Sequence, residues 1–153
     1  MKTLFFFAAI LLALSSCTNQ GSTTNEPDPA APADPTDTLV GVYWQLKTLN
    51  AKPLADYPAQ NKEPYLMFTH EGNRVEGTGG CNGMAGTYTL QSNNQILISE
   101  LASTKMACPD MTLETDFQIF LMDTITYSIT RDELILTRAD TPLSATFMKS
   151  APK

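Results

Sequence analysis

Hydrophobic and polar residues alternate along much of the chain after Leu39, and this pattern predicts a domain built mainly from short β-strands. In the stretch 42–47, Val, Trp and Leu alternate with Tyr, Gln and Lys. Similar short apolar or alternating stretches occur at 65–68, 87–90, 95–98, 101–107, 124–130, 133–137 and 143–149. A period of two is typical of strands with one buried face, so we expect about eight of them.

One segment, "PDMTLETDFQIFLMDT" (109–124), departs from the strand pattern and predicts a helix. Its large apolar residues follow a helical spacing: Leu113, Phe117, Phe120 and Leu121. Asp110 is the predicted N-cap, and Glu114 and Asp116 lie in the early turns, where the helix dipole favours negative charge. We therefore expect a mainly β (α+β) fold, in which a small antiparallel meander curls into a barrel-like sheet and the helix covers one opening or edge.

The first residues, "MKTLFFFAAILLALSSC", predict a signal peptide (1–16). Lys2 precedes an apolar run of 11 residues, Leu4 to Leu14, whereas a helix that spans a bilayer needs about 20. The sequence that ends in Cys17 resembles a bacterial lipoprotein signal, which implies cleavage after Ser16 and a lipid on the Cys17 thiol. Ordinary secretion with a free Cys17 is the alternative.

Residues 17–38 are predicted to be the lipidated cysteine and a tether. The stretch 18–38 contains four prolines and four acidic residues, but no aromatic or large aliphatic side chain. Such a composition buries too little apolar surface to offset the entropy of ordering. By analogy with enterobacterial sorting, Thr18 favours the outer membrane. We expect an anchored protein on the periplasmic face rather than on the cell surface.

The net charge argues against nucleic acids and anionic lipid surfaces as partners. The chain carries a formal charge of −6 and no basic stripe, which argues against a nucleic-acid partner. An acidic domain is also repelled by anionic lipid headgroups, so the lipid anchor would supply the contact with the membrane. We expect a monomer, with an envelope protein or a small ligand as its partner.

The two remaining cysteines, Cys81 and Cys108, predict a disulfide, because they allow one pairing and the compartment beyond the inner membrane is oxidising. A zinc site, a redox pair and a nucleophile are weaker alternatives. Neither cysteine belongs to a CxxC or CxH motif, and the only histidine, His70, lies in the polar stretch "THEGNR". We therefore expect no metal, no cofactor and no catalytic residue.

Two blocks carry a resemblance to a known family. The first is Gly80-Cys81-Asn82 with Gly86-x-Tyr88, and the second is "LASTKMACP" (101–109), followed by an acidic amphipathic helix. Together they resemble the META domain, the family that includes the heat-shock protein HslJ, over residues 39–150. The resemblance implies a compact, mostly antiparallel β fold with one helix, in a bacterial envelope protein linked to stress response. It supplies no catalytic residue set. Lys105 stands where many relatives have Arg, which would weaken any contact that needs a guanidinium fork.

These features predict a non-enzymatic envelope lipoprotein whose META-like domain binds a protein or a ligand and supports the response to envelope stress. The predicted binding surface consists of Asn82, Met84, Ser103 and Lys105, which the disulfide would hold close together. Turn geometry alone is the other explanation for these residues.

Two alternatives belong to other functional classes. The first is a carrier with a hydrophobic ligand in a barrel cavity, lined by methionines: Met67, Met84, Met106, Met111, Met122 and Met148. The second is a hydrolase that uses the many carboxylates of the chain.

Overall fold

A computed structural model describes residues 39–152, so the predicted signal peptide (1–16) and the predicted tether (17–38) lie outside the described part. Nine strands and one α-helix make up residues 39–152, together with 3₁₀ turns at Leu54–Asp56 and Glu71–Asn73. The elements are β1 (Tyr43–Leu49), β2 (Lys52–Pro53), β3 (Tyr65–Thr69), β4 (Arg74–Thr78), β5 (Gly83–Gln91), β6 (Gln95–Ser103), α1 (Thr112–Leu121), β7 (Thr124–Thr130), β8 (Glu133–Arg138) and β9 (Ser144–Ser150). The domain is mainly β, as the alternating pattern predicts.

The strands form one antiparallel sheet that closes on itself. Their order is β2-β1-β3-β4-β5-β6-β7-β8-β9, and β1 also pairs with β9. This closing pair runs from Tyr43 opposite Ser150 to Leu49 opposite Ala145. The predicted meander and its barrel-like curvature are therefore confirmed, and closure removes most of the free strand edges that an open sheet would leave.

Large apolar side chains fill the inside of the barrel. Trp44, Phe68, Phe117 and Phe147 are each at most 1% exposed. Burying a side chain of this kind contributes roughly 1.5–3 kcal/mol. The indole N–H of Trp44 also donates a hydrogen bond to the Leu39 carbonyl at 3.0 Å, so its one polar group is satisfied inside the core.

Two strand predictions need correction. The sequence pattern misses β4 because Gly77 occupies one of its buried positions and offers no apolar side chain to count. The predicted separate strand at 101–107 is wrong. Residues 95–103 form one continuous strand, β6, which is bulged where Glu100 and Leu101 together lie opposite Gly86. After Ser103 the chain leaves the sheet.

Helix α1 confirms the predicted helix and lies across one end of the barrel. Its buried residues include all four of the predicted apolar stripe. A Cβ added to Gly79, in the β4–β5 turn, would lie 2.6 Å from the Cα of Glu114, so glycine permits the helix backbone to approach this turn. The cap residue is Met111 rather than Asp110. Asp110 nevertheless accepts a hydrogen bond from the Thr112 N–H at 3.0 Å.

The last turn of α1 is bound by a side chain from the barrel. Arg138, at the end of β8, donates to the Ile119 carbonyl at 3.1 Å and pairs with Asp123 at 2.6 Å and Asp140 at 3.1 Å. A cation near the end of a helix also interacts favourably with its dipole. Within residues 39–152, no helix has the length and apolar character needed to cross a membrane.

Candidate binding site

The disulfide joins the β4–β5 turn to the segment that precedes α1. Cys81 and Cys108 are bonded, and their Cα atoms are 6.2 Å apart although 27 positions separate them in sequence. The predicted pairing is confirmed. The bond fixes the middle of the segment 104–111, which has no regular secondary structure of its own.

Asn82 holds the same segment through its side chain, which acts in the manner of a neighbouring strand. Its Oδ1 accepts hydrogen bonds from the Met106 N–H at 2.7 Å and the Thr104 hydroxyl at 2.8 Å. Its Nδ2 donates to the Met106 carbonyl at 3.2 Å. The Thr104 N–H donates to the Gly83 carbonyl at 3.0 Å, so the contacts extend the pairing of β5 with β6 beyond the end of the sheet.

Glu114 completes this arrangement from the helix. One carboxylate oxygen accepts from the backbone N–H groups of Cys81 at 3.1 Å and Asn82 at 2.5 Å. The other accepts from the Asn82 side chain at 2.8 Å and from Gln118 at 3.5 Å. Asn82 and Glu114 are each 1% exposed. We call these two residues with Thr104 and Met106 the Asn82–Glu114 cluster.

The structure brings the four residues of the predicted binding surface together but does not expose all of them. Met84 lies opposite Ser103 in the sheet, and Asn82 contacts the segment that contains Lys105. However, Asn82 is 1% and Met84 is 3% exposed, whereas Ser103 and Lys105 are exposed. Asn82 and Met84 are therefore interior residues that shape the site, and only Ser103 and Lys105 present side chains to a partner.

A groove of about 400 Å³ lies between the segment 103–107 and helix α1. The groove borders the Asn82–Glu114 cluster, and Met111, Thr115 and Gln118 line its helical side. A second depression, of about 460 Å³, lies on the other side of Ser103 and is lined in part by Tyr65 and Glu76. Burial and the nearby Glu76 carboxylate raise the pKa of Tyr65 above its ordinary value.

Exposed apolar side chains surround the groove and continue along α1. They are Met106 (49% exposed), Met111 (36%), Ile119 (53%) and Met122 (73%). Met111, Ile119 and Met122 follow a spacing of i, i+8 and i+11, which places them on one face of the helix. We call these four residues the methionine face. Methionine suits surfaces that bind partners, because its unbranched side chain adapts to different shapes.

The carrier alternative requires methionines that line a cavity inside the barrel, but most of them are exposed on the surface. Met106, Met111, Met122 and Met148 are all at least 36% exposed, so they do not line the barrel interior. Of the six methionines, only Met84 belongs to the buried core. Bulky core residues occupy the interior instead.

Residues 39–152 contain no group of three or more His, Cys, Asp or Glu side chains placed to hold a metal ion. His70 is exposed in the turn between β3 and β4, where the sequence predicted it.

Sequence reasoning placed Glu114 in the early turns of the helix, for its charge, and missed its buried role. The available signal was its position, since Glu114 falls at i, i+3 and i+7 with Phe117 and Leu121 and so lies within the apolar stripe. A carboxylate on the buried face of a helix needs donors, and the turn with Cys81 and Asn82 supplies them.

A closed antiparallel barrel with one helix across its end, cross-linked beside a buried Asn–Glu pair, defines a small β-barrel domain. The META domain model matches residues 37–151, and the chain therefore belongs to the META domain family. This match confirms the family resemblance of the cysteine and "LASTKMACP" blocks.

Solved structures share this fold. A protein from Burkholderia xenovorans, determined by NMR, is 24% identical with a TM-score of 0.59, and the alignment covers 82% of this chain and 97% of that one. A second NMR structure is 25% identical with a TM-score of 0.58, and covers 73% and 92%. A DUF4847 family protein from Bacteroides vulgatus is 16% identical with a TM-score of 0.55, and covers 76% and 98%. Among proteins with curated descriptions, none matches significantly.

Proposed function

We propose that this protein is a non-enzymatic envelope lipoprotein whose META domain binds a partner protein and supports the response to envelope stress. The observation that carries the proposal is the methionine face, of which Met106 and Met111 line the groove between segment 103–107 and α1. Exposed apolar side chains gathered around a groove with polar residues are typical of protein-binding surfaces.

The polar groups at the groove favour binding over catalysis. Asn82 and Glu114 each make several hydrogen bonds with the turn, the segment and each other. A general acid, a base or a nucleophile must reach a substrate with a free donor or acceptor. These groups instead hold the groove wall in one conformation, and preorganisation of this kind lowers the entropic cost of binding.

The position of the anchor fits such a role. The described chain begins at Leu39, and Val40 bridges to Phe68 at the end of the barrel that carries the β3–β4 turn. Helix α1 lies across the other end. A tether from Cys17 would join the domain at Leu39, at the end opposite α1, and would leave the groove free for an envelope protein.

Photo-crosslinking in intact stressed cells tests the binding proposal. The photoreactive residue replaces Met106, which is exposed, rather than Met84, which is buried. We expect one recurrent envelope protein in the adduct identified by mass spectrometry. Met148, on β9 and 37% exposed, is the matched control position and is expected to give background labelling. Equal labelling at Met106 and Met148 would contradict the proposal, and an adduct with lipid or a small molecule alone would favour the carrier alternative.

Substitution of Cys17 tests the anchor. We expect the Cys17→Ala variant to appear in the soluble fraction of lysed cells, while the wild-type chain sediments with membranes and incorporates a labelled fatty acid. The acyl chains on Cys17 would supply the stable membrane binding, so loss of this residue should remove nearly all of it. Equal sedimentation of both proteins, without label in the wild type, would show that the lipid is absent.

A further inference from the structure

β6 has a free edge beside the groove. It pairs with β7 only from Gln95 to Leu97, whereas its pairing with β5 extends to Ser103. The residues after Leu97 therefore have a strand partner on one side alone. Ser99, Glu100, Ala102 and Ser103 are exposed, and among the described strands only β5 pairs with the stretch 98–103. Free edges of this kind pair readily with an additional strand.

The hydrogen bonds of the neighbouring residues show which backbone groups are free. The Thr104 N–H donates to the Gly83 carbonyl, and the Met106 N–H and carbonyl both bond to the Asn82 side chain. Alternate residues of an extended segment direct their N–H and C=O groups to opposite sides. Ser103 and Lys105 therefore direct theirs away from β5, towards the groove.

The groove can hold an extended segment next to this edge. Ser103 and Lys105 form one side, and Met111, Thr115 and Gln118 of α1 form the other. A strand added to Ser103 and Lys105 would lie about 4.8 Å from segment 103–107. Its backbone would bond to that segment, and alternate side chains would reach the methionines and polar residues of the helix.

Charge at the groove favours an acidic segment. Among residues 39–152, Lys105 is the only exposed charged side chain that lines the groove, because Glu114 is buried. Within residues 39–152 the ion pairs involve Arg138, and Lys105 has no carboxylate partner. In a chain with a net charge of −6, this leaves an unpaired cation beside the free strand edge.

We propose that the groove binds an extended peptide segment of a partner protein, which adds as a strand to Ser103 and Lys105 and places an acidic side chain at Lys105. Strand addition of this kind obtains affinity from main-chain hydrogen bonds and specificity from alternate side chains. The inference rests on the proposed binding function and specifies the mode of binding.

Selection of peptides tests the mode directly. The probe is a displayed library of random seven-residue peptides, selected on the full-length chain in detergent micelles. We expect enriched peptides to share an acidic residue. The backbone N–H groups of an added strand point alternately towards segment 103–105 and away from it. N-methylation of the groups that point towards the segment should weaken binding about tenfold, because these groups donate to Ser103 and Lys105. N-methylation of the other groups should have little effect. Failure of any peptide to enrich, or equal effects of both N-methylated sets, would overturn strand addition.

Variants of the protein provide a second test. Ser103→Pro removes the N–H that faces the groove without removing a bond to β5, and proline is tolerated at such edge positions. We expect it to weaken the selected peptides about tenfold, while Ser103→Ala, which keeps the N–H, changes affinity less than about twofold. If Ser103→Pro fails to fold, the N-methylated peptides still show whether the peptide binds as an added strand.

Lys105 is tested by charge reversal. A selection repeated on Lys105→Glu is expected to enrich basic peptides in place of acidic ones, and an unchanged set of peptides would contradict the role of Lys105.

The proposed binding function and the proposed strand mode can fail separately. A partner crosslinked at Met106, together with no enriched peptide, would retain the binding function and reject the strand mode, whereas equal labelling at Met106 and Met148 would reject the function itself.

Discussion

Replacing both Cys81 and Cys108 with alanine is expected to lower the free energy of unfolding by about 3–4 kcal/mol. The disulfide closes a loop between residues 27 apart, and the chain-entropy relation for a loop of this size gives about 3.6 kcal/mol at 25 °C. A domain of this length typically has about 5–15 kcal/mol in total. The variant should therefore unfold at a markedly lower urea concentration.

The measurement is urea denaturation followed by tryptophan fluorescence, since Trp44 is buried in the core. The control is the wild-type protein with and without a reductant. Reduction should lower the wild-type midpoint towards that of the double variant and leave the variant unchanged. A midpoint that responds equally to the reductant in both proteins would contradict the assigned role of the bond.

Glu114→Gln is expected to have an effect of similar size, a loss of about 3 kcal/mol. Both carboxylate oxygens accept hydrogen bonds from donors, two of them backbone N–H groups. Glutamine has nearly the same shape but carries an NH₂ group in place of one oxygen, so in either orientation a donor meets donors. A buried donor without an acceptor costs about 1–3 kcal/mol, and at least one backbone N–H or the Asn82 amide loses its partner.

Glu71→Gln is the matched control, because Glu71 is exposed in the turn after β3. The same chemical change there is expected to alter the free energy of unfolding by less than about 0.5 kcal/mol. Equal, small effects of the two substitutions in urea denaturation would show that the Asn82–Glu114 cluster contributes little to stability.

Both predictions concern the same part of the molecule. The disulfide and the cluster hold the segment 104–108, which forms one wall of the groove and runs past the start of β5, where no strand pairs with it. Their loss should therefore disorder the groove before it unfolds the barrel. Binding of a selected peptide would then fall in the Glu114→Gln variant even at urea concentrations where Trp44 remains buried.

The local pattern of the sequence was sufficient for most of the secondary structure. Period-two alternation predicted the strands around Trp44 and Phe147, and the helical spacing of Phe117 and Leu121 predicted α1. These features are local, because a half-buried strand or helix requires apolar residues at fixed intervals. Strand β4 was not predicted, because Gly77 occupies a core position without an apolar side chain.

The predicted binding residues illustrate the limit of such reasoning. Asn82 and Lys105 were assigned to one surface because the predicted disulfide would hold their two segments close together. The distinction between them depends on distant residues: the carboxylate of Glu114, 32 positions away, satisfies Asn82 in the interior, whereas Lys105 has no such partner. A polar residue can be buried only where the fold supplies its hydrogen bonds, and the local sequence does not contain that information.

The sequence by itself determined most of the strands, the helix and the pairing of Cys81 with Cys108, because periodicity and the number of cysteines are properties of the chain alone. Tertiary structure alone decided the closure of β1 on β9, the burial of Asn82 and Glu114, and the free edge of β6 beside the groove. The physical reason is that register, closure and the satisfaction of buried polar groups depend on contacts between residues far apart in sequence. Those contacts form only when the whole barrel is assembled.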